Sequence, residues 1–116
     1  MAFNKSHLFD PDDQATSAMA HLLSHPARVD ILRFLAQNGS TSVAKLVNRY
    51  PLAQSTVSQH LEHFRKADLI QYQESYPYIY YTIDIQTLKE LNAKLMEYCM
   101  SLEETVSLML NANRSR

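Results

Sequence analysis

A chain of 116 residues that is 46% hydrophobic is one domain's worth of folded globule with its own core. A lone cysteine, Cys99, excludes an internal disulfide framework, and no apolar run approaches the roughly 18 residues that span a bilayer. The first residues do not form a charged-then-apolar leader, so a soluble, cytoplasmic protein is expected. The net charge of −1 is uneven. From His25 to Tyr72, six basic residues (Arg28, Arg33, Lys45, Arg49, Arg65, Lys66) face three acidic ones (Asp30, Glu62, Asp68), an excess of +3 that leaves −4 elsewhere. A basic middle with acidic ends suits a surface that meets nucleic acid between partner-facing termini.

Residues 1–11 lack periodicity and read as a flexible arm. Asp12 or Asp13 is placed to cap a first helix running to about Leu23, with Ala15, Ala18, Met19, Leu22 and Leu23 on its apolar side. Pro26 suits the first turn of a second helix presenting Val29, Ile31, Leu32, Leu35 and Ala36, and Gly39 stands just past its end. Thr41 or Ser42 can cap a short third helix with Val43, Leu46 and Val47, which Pro51 breaks. After a turn at Leu52 to Gln54 the fourth helix begins. Val57, Leu61 and Phe64, spaced four then three, mark its buried stripe. Gln54, Ser55, Thr56, Ser58, Gln59 and His60 crowd its start with short hydrogen-bonding groups, which suits a helix that reads base edges in a major groove. Ala53 occupies the expected cap position, leaving Ser55 to cap one turn later. A short helix, a tight turn and a polar-faced second helix make a helix-turn-helix.

From Leu69 the pattern alternates, and after Ser75–Pro77 the run Tyr78 to Ile83 is rich in aromatic and β-branched residues, as in a β-hairpin. The last helix, about 85–110, carries Leu88, Asn92, Leu95, Cys99, Leu102, Val106 and Met109 at alternating spacings of four and three. That is a coiled-coil-like seam with one polar position, and Leu91, Tyr98 and Leu110 widen it beyond what a small domain covers alone. Homodimerisation through this helix, with the first helix assisting, is expected, and 111–116 should fray. The expected fold is mainly α with a small β-hairpin, a winged helix-turn-helix over 12–110 in the order α-α-α-α-β-β-α, dimerising through the terminal helices.

Three segments together, HPARVDILRFL (His25 to Leu35), LAQSTVSQHLEHFRKADLI (Leu52 to Ile70) and YIYYTID (Tyr78 to Asp84), resemble the ArsR/SmtB family of small bacterial winged-helix repressors. The resemblance runs from about His21 to Leu110. It implies a homodimer whose two recognition helices enter successive major grooves of a near-palindromic operator, and repression released by an inducer, often a metal or metalloid ion. It assigns DNA reading to Gln54, Ser55, Thr56, Ser58, Gln59 and His60, and phosphate contact to Arg65 and Lys66. The hairpin departs from the pattern: Glu74-Ser75-Tyr76-Pro77-Tyr78 has no cation where relatives often carry Arg, Lys or Gly. The tyrosines could donate hydrogen bonds to DNA, although stiffening and covering the hairpin is the favoured reading.

The metal sites that the resemblance implies lack their ligands. Thiolate sites need two close cysteines, commonly on the third helix, and VAKLVNRY has none. For the site on the last helix, aligning Asp84 with the first ligand brings Gln86, Glu97 and Met100 to the following positions, so both histidines are missing and Asp84 reads as a helix cap. His60 and His63 share the DNA-facing helix, His21 and His25 suit packing or capping, and Cys99 is best read as a small buried hydrophobe. No metal or other cofactor is expected, and no phosphate loop, nucleophile elbow or HExxH suggests an enzyme. The expected function is transcription regulation by a metal-independent repressor on double-stranded DNA, its inducer unknown. Two rivals remain: a winged helix used as a protein-binding module, and a metal- or thiol-responsive repressor with an unrecognised ligand site.

Overall fold

The computed structural model describes residues 5–114. Helix α1 (Pro11–Leu22) opens two or three residues earlier than expected. Asp10, rather than Asp12 or Asp13, accepts from the Asp12 N–H at 2.8 Å through its carboxylate, and Pro11 fills the first helical position. A single 3-10 turn at Ser6–Leu8 precedes it, so the described part of the expected arm has local structure; residues 1–4 lie outside the described residues.

Helix α2 (Pro26–Asn38) follows the proline and glycine signals. His25 caps it, Nδ1 accepting from the Ala27 N–H at 3.0 Å, and Gly39 ends it at a φ of 66° that a side chain would resist. Its buried face is Ala27, Arg28, Ile31, Leu32 and Leu35, while Val29 and Ala36, expected on that face, are exposed. Ser42 caps α3 (Val43–Arg49) by accepting from the Lys45 N–H. Ala53 precedes α4 (Gln54–Lys66) without any side-chain cap, so Ser55 does not take that role. Helix α4 ends in a Schellman arrangement: Leu69 N–H reaches Phe64 C=O, Asp68 N–H reaches Arg65 C=O, and Asp68 takes a φ of 59°.

The hairpin is β2 (Ile70–Ser75) and β3 (Tyr78–Ile83), antiparallel, with Ile70 opposite Ile83 and Ser75 opposite Tyr78. A two-residue strand β1 (Thr41–Ser42), absent from the sequence reading, pairs with Tyr81 and Tyr80 of β3, giving the sheet order β1-β3-β2. Helix α5 (Ile85–Arg114) is capped by Asp84, which accepts from both the N–H and the hydroxyl of Thr87; those bonds hold its carboxyl below the usual range. The helix continues through 111–114, where fraying was expected, because i to i+4 bonding persists past the apolar seam; 115–116 lie outside the described residues.

The described residues form two compact units, one from 5–20 and 90–114 and the other from 21–89. The second holds a continuous core of Ile31, Leu35, Leu46, Val57, Leu61, Phe64, Leu69 and Ile70, each essentially sealed from water. Burying Phe64 alone is worth about 1.5–3 kcal/mol relative to leaving it exposed. In the first unit, Lys94 Nζ meets Asp12 at 2.9 Å, and an open groove of about 460 Å³ lies between Thr16, Ser17, Leu95, Tyr98 and Cys99.

Candidate nucleic-acid interface

Helix α4 has two chemically distinct sides. Val57, Leu61 and Phe64 point into the core, as their spacing predicts. Gln54, Ser55, Ser58 and Gln59 are exposed, Thr56 is half-buried, and Lys66 is exposed near the far end. Five of the six residues assigned to base reading are therefore at least partly open to solvent on one helix. A cleft of about 520 Å³ runs beside them, lined by Val47, Gln54, Ser58, Leu61, Pro77 and Tyr78, between the helix-turn-helix and the hairpin.

His60 is the exception, and it corrects the reading. It is only 8% exposed, and its Nδ1 accepts from Arg28 Nε at 3.0 Å. The cause is helical geometry: at about 100° per residue, position 60 falls roughly 60° from position 57, on the flank of the apolar stripe. Burial, and then the Arg28 charge, push its imidazole below its ordinary range. Arg65 is half-buried and paired. Its Nε donates to Glu62 at 2.8 Å and its second nitrogen reaches the other carboxylate oxygen, so its charge is met one turn back on its own helix. That bond holds the Glu62 carboxyl below its usual range. Of the expected basic pair, Lys66 stands as the open cation.

A clasp that sequence reasoning missed positions α3, the first helix of the helix-turn-helix. Asp30 of α2 accepts from Arg49 Nε at 3.0 Å and from the Tyr50 hydroxyl at 2.7 Å. Arg49 lies 4.4 Å over the Phe34 ring. The Arg49 and Tyr50 bonds hold the Asp30 carboxyl below its usual range; burial, then the bond to Asp30, pushes the Tyr50 phenol up to about 12. Partners nineteen and twenty residues apart leave no periodic trace in a sequence.

The hairpin tip carries no cation, as read, and Glu74 stands exposed beside it. Tyr78 packs against Tyr80 at 6.2 Å, in line with tyrosines covering the hairpin. Tyr76 does not: it is 99% exposed.

A model of the bacterial regulatory proteins of the arsR family matches residues 25–72, which span the capped α2, the helix-turn-helix and the start of the hairpin. Over 66 residues, 57% of this chain and 74% of the relative, the sequence is 33% identical to an uncharacterized HTH-type transcriptional regulator of Methanocaldococcus jannaschii. The chain belongs to the arsR family. It is thus a member of a family of DNA-binding transcriptional regulators, not of enzymes. The fold is similar to the crystal structure of a possible transcriptional regulator for arsenical resistance, at 25% identity and a TM-score of 0.67, covering 78% of this chain and 94% of that one. It is also similar to an ArsR-like transcriptional regulator from Rhodococcus sp. RHA1, at 17% identity and a TM-score of 0.70, covering 89% and 94%. This second likeness concerns the winged-helix fold alone.

Among the described residues of this arsR-family chain, no group of three or more His, Cys, Asp and Glu is placed to hold a metal ion. The ring of His60 meets His25 at 4.9 Å, and that of His63 meets His21 at 5.1 Å. Along α5 no residue is buried. Leu88 and Leu95 are half-buried, whereas Asn92, Cys99, Leu102, Val106 and Met109 are exposed, so the burial expected for Cys99 is not formed within one chain. Among the described residues no helix is long and apolar enough to cross a membrane.

Proposed function

We propose that this chain acts in the cytoplasm as a homodimeric repressor of arsR type that reads a near-palindromic operator without a metal cofactor. The observation that carries the DNA reading is the division of α4: its apolar side is consumed by the core, and what it offers outward is Gln54, Ser55, Thr56, Ser58 and Gln59. Amides and hydroxyls of this kind pair with base edges, while Lys66 supplies a phosphate contact that fixes register. The dimer reading rests on α5, where Leu102, Val106, Leu108, Met109 and Leu110 are each about half exposed or more. A second copy would cover that patch, because a monomer rarely leaves so large an apolar surface in water. Two half-site contacts then act as one tight contact, since the dimer fixes their spacing.

DNase footprinting on the DNA upstream of the chain's own gene tests this. A protected, near-palindromic stretch with half-sites about one helical turn apart, some 10 base pairs, is the expected result. Uniform or absent protection would overturn it. One observation favours a second reading, a protein-binding winged helix: the hairpin exposes Tyr72, Tyr76, Tyr78 and Ile79 with an acid and no cation. An absent footprint with a folded dimer would favour that reading.

A further inference from the structure

Four of the chain's five histidines meet around one buried arginine within the 21–89 unit. Arg28 is 7% exposed, and no carboxylate is bonded to it among the described residues. Instead it donates from Nε to His60 Nδ1 at 3.0 Å and from a terminal nitrogen to the His21 carbonyl at 2.7 Å. A buried guanidinium held by a neutral imidazole is an unusual choice, because the more stable arrangement would pair it with an acid. A permanent positive charge at the centre also makes the cluster hostile to a metal ion, although imidazoles are common ligands.

The bond has a chemical condition. Nδ1 can accept only while it carries no proton, so the neutral ring holds its proton on Nε2, a buried atom with no hydrogen-bond partner. A second proton would turn the acceptor into a donor and set two cations in contact. The groups facing His60 are Arg28 from α2, His25 at the cap of α2 and His63 on its own helix; His63 in turn meets His21 at the end of α1 and lies near Lys66. The one nearby acid, Glu62, is bonded to Arg65. Among the described residues no free carboxylate is bonded there to neutralise the new charge.

We propose that Arg28 and His60 form a proton-sensitive latch that seats the reading helix α4 on α2, and that acid releases the helix and with it the operator. The proposal rests on the DNA reading of α4 given above, and it makes His60 a positioning residue rather than a base-reading one. The direction follows from linkage. Burial and the neighbouring cations favour the neutral ring, so the stability it lends is whole above the ordinary imidazole range and is lost as pH falls through His60's lowered midpoint.

Operator binding by the full-length wild type and by His60→Asn, measured from about pH 7.5 to about pH 5, tests the latch. Asn keeps an oxygen acceptor for Arg28 but takes no proton. Wild-type affinity should fall by about tenfold per pH unit below the His60 midpoint for each protomer engaged, while the variant stays flat over the same interval. Ordinary charge effects run the other way, since acid adds positive charge and tightens DNA binding. A wild type that binds equally or more tightly in acid, or a variant that weakens in parallel with it, overturns the latch. Amide exchange and the His60 ring resonances of the free wild-type protein give a reading that needs neither DNA nor a folded variant. Faster exchange in α4 as His60 takes its proton supports the latch, and unchanged exchange overturns it. Failure to bind the operator at neutral pH would instead reject the DNA reading, with amide exchange still judging the latch.

Discussion

In α4, Val57, Leu61 and Phe64 are sealed from water, and the outward side is amide and hydroxyl. In α5 the apolar residues from Leu102 to Leu110 stand in solvent, and no residue of the helix is buried. Both helices are amphipathic, but only α4 has its apolar side satisfied within the chain. A helix in that condition can meet a partner only through directional hydrogen bonds, which discriminate one sequence from another. A helix in the condition of α5 gains by excluding water against any complementary apolar surface, and a second α5 is complementary by symmetry. Under the proposed function, specificity and assembly are carried by different chemistry in different helices.

Substitutions on the two helices should therefore fail in different ways. The largest effect is expected at Phe64, which is fully buried: Phe64→Ala should cost about 3–5 kcal/mol in a denaturant titration, and a smaller loss would mean the site collapses around the cavity. Next comes Leu102→Asp, which sets a charge on the α5 seam. Sedimentation should find a folded monomer in place of the dimer, and a variant that stays dimeric would place the interface elsewhere. On α4, Gln59→Ala should weaken operator binding by about 1–3 kcal/mol and leave binding to scrambled DNA nearly intact. Equal losses on both DNAs would remove Gln59 from base reading. The smallest effect is local. Asp68 ends α4 at a φ of 59°, so Asp68→Gly should raise stability by about 0.5–1 kcal/mol; a neutral or destabilising result would mean the carboxylate contributes more than strain removes.

The local and periodic features of α2, α3 and α4 are legible in the residues. Pro26 and Gly39 bracket α2, Ser42 caps α3, and the spacing of Val57, Leu61 and Phe64 names the buried stripe, because each signal lies within one helical turn or a few residues. His60 was misassigned for a reason that is itself periodic. Its polarity suggested the outer face, while its angle placed it beside the stripe, and Arg28 lies seven residues before Leu35 on the buried face of α2. Two polar residues at apolar angles on neighbouring helices are a signal of a contact between them, here the Arg28–His60 bond. Strand β1 and the Asp30 clasp had no such signal. The first is two residues long and pairs with Tyr80 and Tyr81, and the second joins residues whose separation matches no helical or strand period.

The α5 series shows the opposite limit. Its spacing is legible in the sequence, yet Cys99, Leu102, Val106 and Met109 are exposed in the single chain, and under the proposed function a second copy supplies the surface that covers them.

Fluorescence-anisotropy titration of the metal-free, reduced protein against its own upstream DNA, beside a scrambled duplex, tests the central claim most directly. The account predicts tight binding to the upstream DNA and binding to the scrambled duplex weaker by about a thousandfold or more. Equal and weak binding to both duplexes, from a protein that is folded and dimeric, would contradict it.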